Sequence, residues 1–202
     1  TVTVPADITV CNGAAVTASS FTSPTAGATY SWTNNNTAIG LTGSGSGNIA
    51  AFNATNTTAN PISATITVTP TANNCTGTPS SYSITVNPTP TVTVPSDITV
   101  CNGATVTASS FTSPTAGTTY TWTNNNTAIG LTGSGSGNIA AFNATNTTAN
   151  PITATIAVTP TANNCTGTPS SYLITVNPTP TVTVPTDITV CNGAAVTASS
   201  FA

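Results

Sequence analysis

The stretch ISATITVTPTANNCTGTPSSYSITV, residues 62–86, decides the fold. Ile62, Ala64, Ile66 and Val68 are apolar, and Ser or Thr stands between them. Side chains on a strand point to opposite faces in turn, so this pattern is a strand with one face buried. Beyond Asn73-Asn74-Cys75 the alternation resumes at Tyr82, Ile84 and Val86. The stretch therefore reads as strand, hairpin tip, strand. Outward from it, turn residues separate further short alternating segments. Strands are expected at 7–10, 14–20, 29–33, 48–53, 62–71 and 81–86, with weaker ones at 1–4 and 38–41. No segment has helical periodicity. Many short strands at this spacing predict an all-β sandwich.

The chain of 202 residues is a tandem array. Residues 1–90 and 91–180 align without gaps and differ only at 6/96, 15/105, 28/118, 31/121, 63/153, 67/157 and 83/173. Residues 181–202 begin a third copy and are expected to be its first strands, which could complete the sandwich of the previous copy or of another chain. The start and stop read as a window on a longer array. A 90-residue period is too long for a solenoid coil and suits one sandwich domain. The differing positions test the strand parity. Positions 63, 67 and 83 fall on the outward face of their strands, opposite Ile66 and Ile84. Position 15 likewise faces out if Val16 and Ala18 face in. Asn12-Gly13 predicts a hairpin, and a three-residue loop Cys11-Asn12-Gly13 would pair Val10 with Ala14 and Ile8 with Val16. Copies are joined by Asn87-Pro88-Thr89-Pro90, a short stiff linker, so neighbouring domains should form a rod.

Composition removes most functional classes. There is no Lys, Arg or His, and the three acidic residues are Asp7, Asp97 and Asp187. Nothing can neutralise phosphates, so nucleic acid is excluded, as is a basic membrane-surface helix. No pair of acid–base side chains exists per repeat, so the chain is not expected to be an enzyme. No cofactor is expected. One carboxylate per copy falls short of the usual calcium site, and hydrogen bonding at a turn or strand end is the ordinary role for Asp7.

Cys11, Cys75, Cys101, Cys165 and Cys191 fall at two sites per copy, spaced alternately by 64 and 26 residues. They are not clustered as metal ligands, and no base is present to activate a nucleophile. Disulfides in an oxidising, extracellular compartment are the natural reading. Pairing within a copy, Cys11 with Cys75 and Cys101 with Cys165, is slightly favoured. Against it, the turn at Cys11 and the hairpin tip at Cys75 belong to opposite ends of an immunoglobulin-like sandwich. The alternative, Cys11 with Cys165, would staple adjacent copies.

Tyr30 with Trp32, and Tyr120 with Trp122, sit on one strand face and read as core aromatics in preference to a sugar-stacking platform. Gly43-Ser44-Gly45-Ser46-Gly47 lacks the Lys and helix of a phosphate loop and reads as a flexible turn. Asn35, Asn53, Asn56 and Asn74 stand in N-x-T sequons and imply exposed polar surface. With almost no charge there is little repulsion between chains, which favours lateral association.

The segments PADITVCNGAAVTASS (5–20), YSWTNNNTAIG (30–40) and ATITVTPTANNCTGTPSSYSITVNPTP (64–90) resemble the PKD-like or Ig-like tandem repeats of giant surface proteins of Bacteroidota. The resemblance covers the whole chain. It implies tandem β-sandwich domains in a rod or filament, secretion (often by the type IX system) and roles in adhesion, gliding or surface filaments. The expected function is a structural repeat of an extracellular fibre or cell-surface adhesin stalk. Its expected partners are neighbouring repeats and other copies of itself. The rival is a multivalent module binding a surface glycan or protein at loops 33–38 and 41–48. No membrane-inserted segment is expected in this sequence.

Overall fold

A computed structural model describes residues 1–200. The first copy contains β1 (Ile8–Cys11), β2 (Ala15–Val16), β3 (Thr29–Asn34), β4 (Ser44–Ser46), β5 (Phe52–Asn53), β6 (Ile62–Ala72), β7 (Cys75–Thr76) and β8 (Ser80–Asn87). The second repeats it as β9 (Ile98–Cys101), β10 (Thr105–Val106), β11 (Thr119–Asn124), β12 (Ser134–Ser136), β13 (Phe142–Asn143), β14 (Ile152–Ala162), β15 (Cys165–Thr166) and β16 (Ser170–Asn177). Each copy is a β-sandwich. One sheet runs β1-β8-β6-β3-β4 with β7 on the end of β6, and the facing layer is the β2-β5 pair. Isolated bridges Thr3–Thr22 and Ser19–Ile49 extend that second layer.

The expected parity of the two long strands holds. Ala64, Ile66, Val68, Tyr82, Ile84 and Val86 are buried, while Ser63 and Thr67 lie on the other face. Leu173, the most conspicuous difference between copies, is 39% exposed, so the Ser-to-Leu change costs the core nothing. Opposite them pack Val2, Val16, Phe21, Ile39, Leu41, Ile49 and Ala54. Val92 and Val94 pack in the same way against the second core. The first residues of each copy are thus part of its sandwich.

The Asn12-Gly13 turn exists but does not make a hairpin. Ala14 donates to the Cys11 carbonyl at 3.0 Å, and Gly13 has a φ of +82°. On its two sides the chain belongs to different sheets. β1 runs parallel to β8, with Ile8 opposite Ile84 and Cys11 opposite Asn87. β2 instead pairs with β5, Val16 against Phe52. Burial of Ile8 and Val10 against one layer and Val16 against the other outweighs local pairing. Strand β2 also ends early, so Ala18 is exposed and Ser19 takes the inward position, where it accepts the Tyr82 hydroxyl at 3.1 Å.

Three further expectations are corrected. Residues 38–41 are not a strand: Thr37–Ile39 form one 3-10 turn, with the Asn36 side chain accepting from Ala38 N and Gly40 closing it at a φ of +92°. The glycine-rich segment is no flexible turn. Its centre is edge strand β4, paired with β3, and Gly45 lies so close under the Trp32 ring that any Cβ would strike it. Residues 181–200 contain no strand, although they repeat the sequence of β1 and β2. In the first copy those strands pair with β8 and β5 of their own repeat. The existing β16 edge is already taken by β9, so the segment does not complete the previous sandwich. Phe201 and Ala202 lie outside the described residues.

Burial lifts the Tyr82 phenol above its ordinary value of 10.0, partly offset by the bond to Ser19, and Tyr172 with Ser109 does the same. The neutral phenol is then favoured by the fold. This contribution is full below about pH 10 and is lost as pH rises through the raised folded value. Urea midpoints should be level toward pH 10 and fall above it. The fall should shrink in Tyr82→Phe/Tyr172→Phe; an unchanged fall would place its cause elsewhere.

Candidate functional site: the joint between repeats

The constellation that the fold assembles from both copies is the joint between them. It begins with the end of the first sandwich. β1 stops opposite Asn87, and Asn12 N donates to the Asn87 carbonyl at 2.8 Å. Asn56, 3% exposed, fastens the same end from inside. Its Nδ2 donates to Val86 O at 2.8 Å and Asn60 O at 2.9 Å, and its Oδ1 accepts from Thr58 N and Thr58 Oγ1. Asn12 Oδ1 in turn accepts from Asn56 N at 2.9 Å. This sequon asparagine is therefore structural. Asn56→Ala should leave buried acceptors unpaired and lower the stability of its repeat by about 2–3 kcal/mol, read from urea unfolding. A loss below about 0.5 kcal/mol, the range of ordinary surface changes, would contradict that role.

The other half of the joint is the β14–β15 hairpin of the second copy. Asn163 and Asn164 have φ of 49° and 61°, the left-handed pair of a tight two-residue hairpin turn. Asparagine tolerates that region better than other non-glycine residues, which is why the tip reads Asn-Asn. The turn projects Cys165, and Cys165 forms a disulfide with Cys11, Cα–Cα 5.7 Å. Beside it Asn87 Nδ2 donates to Asn163 O at 3.1 Å. Gly167 meets the Pro90 carbonyl with no room for a side chain.

The slightly favoured pairing within a copy is thereby overturned, for a geometric reason. Cys11 lies opposite Asn87, next to the Val86–Ile62 pair, whereas Cys75 lies opposite Ala72. Strand β6 spans the whole interval between Ile62 and Ala72, roughly 33 Å at strand rise. A disulfide needs Cα atoms within about 7 Å. Cys75, Cys101 and Cys191 are free and exposed.

Comparing the two copies traces the joint. Cys165, Ala162, Gly167 and Thr115 are buried, while their counterparts Cys75, Ala72, Gly77 and Thr25 are not. On the first copy Asn87, Pro88 and Pro90 are buried, while Asn177, Pro178 and Pro180 are not. The Pro linker is thus packed between the sandwiches as well as intrinsically stiff.

The other sequence candidates fall outside this site. Trp32 and Trp122 are each 7% exposed, closed over by β4 and β12, and are not available as a sugar platform. Tyr30 and Tyr120 are half-buried and meet Phe21 and Phe111 edge to face, with ring centroids at 5.9 and 5.8 Å. Asp7 Oδ1 accepts from Ser83 N at 2.7 Å, and Asp97 Oδ1 from Leu173 N at 2.8 Å, both bonds at a strand end. Among the described residues no group of three or more His, Cys, Asp or Glu is placed to hold a metal ion. No helix among them is long and apolar enough to cross a membrane.

A family profile described as PKD-like domain matches residues 8–90 and again 98–180. The chain belongs to the PKD-like domain family. The chain is also similar to solved structures at low identity. Human mucin-like protocadherin EC1-2 is 13% identical, with a TM-score of 0.43, over 90% of this chain and 99% of that one. Mouse cadherin-23 EC22-24 is 13% identical, with a TM-score of 0.44, over 86% and 63%. The tandem Ig repeats of Dlar are 12% identical, with a TM-score of 0.31, over 88% and 98%. No curated protein matches the chain.

Proposed function

We propose that these PKD-like repeats are a load-bearing segment of an extracellular fibre or cell-surface adhesin stalk, and that they are not catalytic. The observation that carries this reading is the Cys11–Cys165 disulfide between copies. A disulfide inside each sandwich would stabilise a domain. One between sandwiches fixes the angle and spacing of neighbours and carries tension across the joint. Such a bond persists in oxidising compartments, which supports an extracellular location. The near absence of charge removes repulsion between chains lying side by side. Electron microscopy of native material labelled with antibody to the chain tests the reading. Label repeating along extended surface fibres is expected. Label confined to compact soluble particles would overturn it.

A second reading, multivalent binding of a glycan or protein, draws on one repeated feature. A shallow depression lined by Tyr30, Ser46 and Asn48 recurs at Tyr120, Ser136 and Asn138. Binding of the oxidised chain on a glycan array, lost in Tyr30→Ala/Tyr120→Ala, would favour it over the purely mechanical role.

A further inference from the structure

Asn12-Gly13 and Asn102-Gly103 close no hairpin, and their residue types carry a chemistry of their own. An asparagine followed by glycine is open to deamidation. The backbone nitrogen of the glycine attacks the asparagine Cγ, ammonia leaves, and a succinimide ring forms. Water then opens that ring at either carbonyl, giving aspartate or isoaspartate. Glycine favours the attack because no side chain shields its nitrogen. Here the turn requires glycine. Gly13 and Gly103 both have a φ of +82°, a region glycine adopts at no steric cost.

The fold nevertheless holds every reacting atom in place. Gly13 N, the nucleophile, donates to Ala54 O at 2.8 Å. Asn12 Oδ1, on the carbon to be attacked, accepts from Asn56 N at 2.9 Å. Asn12 Nδ2, the leaving group, donates to Thr89 Oγ1 of the linker at 3.5 Å. The second repeat makes the same bonds. Gly103 N donates to Ala144 O at 2.8 Å, Asn146 N to Asn102 Oδ1 at 2.9 Å, and Asn102 Nδ2 to Thr179 Oγ1 at 3.4 Å.

We propose that Asn12 and Asn102 are latent deamidation sites that this set of hydrogen bonds latches shut. The glycine nitrogen attacks only after losing its proton, and that proton is the one given to Ala54 O. Turning Cγ toward the nitrogen pulls Oδ1 away from Asn56 N and leaves a part-buried donor unpaired. Both bonds must break before the ring closes. Asn56 holds the latch in position. Its side chain fastens to Val86 O and Asn60 O, which fixes the backbone N–H that Asn12 needs. The buried sequon asparagine is thus a positioning residue that never touches the nucleophile.

The place of the site gives the latch its importance. Asn12 follows Cys11, which carries the disulfide to the second copy. Isoaspartate would insert an extra carbon into the backbone between Cys11 and Gly13. The bonds from Asn12 N to Asn87 O and from Gly13 N to Ala54 O could then not both keep their register. The end that receives the β14–β15 hairpin would loosen. Aspartate would instead add a carboxylate to a chain whose formal net charge is only −3. None of this depends on the fibre reading.

The test compares the full chain, disulfide kept and free thiols alkylated, folded and unfolded in guanidinium chloride. Both samples stand in mildly alkaline buffer. Chymotryptic peptides are then followed for amide-to-acid conversion and for isoaspartate, and the 15/105 difference keeps the two sites apart. Asn12 and Asn102 should convert about ten-fold or more slowly in the folded chain, since two hydrogen bonds must break first. A smaller difference would overturn the latch. Asn56→Ala should speed conversion of Asn12 and not Asn102, and Asn146→Ala the reverse, each while the tryptophan of that repeat still reports a folded core. Unchanged rates in both would overturn the positioning role. Should either variant unfold its repeat, hydrogen exchange in the unsubstituted chain decides. Gly13 and Gly103 amides exchanging as slowly as those of β8 and β16 are expected, and exchange at the rate of an open loop would overturn the proposal.

Discussion

Held by its two ends and stretched with the Cys11–Cys165 bond intact, the chain is expected never to release the loop between those cysteines, whose sequence separation is 154. Tension entering at Cys11 crosses directly to Cys165. The first core lies inside the bypassed loop apart from Val2, and the second apart from β16, which carries Tyr172, Ile174 and Val176 and can still be drawn off its sheet without releasing the loop. Reduction removes the bypass. At roughly 3.6 Å per extended residue the added length is about 550 Å, far larger than any change in joint angle. Single-molecule force extension with and without reductant reads it directly. Cys11→Ser should behave as the reduced chain under both conditions. Full extension of the oxidised chain would show that this staple does not bear load. The arrangement has a physical logic for a fibre. Sandwiches supply stiffness and spacing, while the covalent path across the joint stays short.

Removing the Trp32 side chain is expected to have the largest effect on folding. Trp32 sits between β6 and β4, paired with Val68 on one side and Gly45 on the other, and is buried at the centre of the first core. Trp32→Ala should cost that repeat about 3–5 kcal/mol. At roughly 4–8 °C per kcal/mol for a domain of this size, its melting transition should drop by about 12–40 °C. Trp122, the one other tryptophan, then reports on the second repeat, whose own transition should stay in place. Trp32→Phe should cost less than Trp32→Ala, because the Phe ring keeps much of the buried volume and neither variant loses a hydrogen bond, Trp32 Nε1 having no partner. Calorimetry of a chain with its cysteines alkylated separates the two transitions. A single transition shifted as a whole would mean that the repeats fold as one unit and not as two.

The sandwich, its long strands and its period were legible because they rest on local alternation. Ile62 to Val68 and Tyr82 to Val86 announce their buried faces in any context. The joint was only half legible. Asn73-Asn74-Cys75 reads as a hairpin tip and Asn73-Asn74 is its turn, whereas Cys11, read as part of a hairpin loop, is the last residue of β1. What they touch depends on strand order, which alternation does not encode. The same limit explains the turn at Asn12-Gly13. A dipeptide that elsewhere closes a hairpin here passes the chain from β1 to β2, between sheets, because Ile8 and Val16 are buried against different layers. The glycine-rich segment misled for another reason. Its lack of side chains looks like flexibility, but it is room for the Trp32 ring, and a ring that arrives from another strand leaves no trace nearby in sequence.

By itself, then, the sequence determined that this protein is a tandem of β-sandwiches, since periodicity is a property of the chain alone. Only the tertiary structure decided which cysteines meet. An eleven-residue strand separates the two thiols of one repeat by its full length, and the stacking of repeats brings together two that lie 154 residues apart.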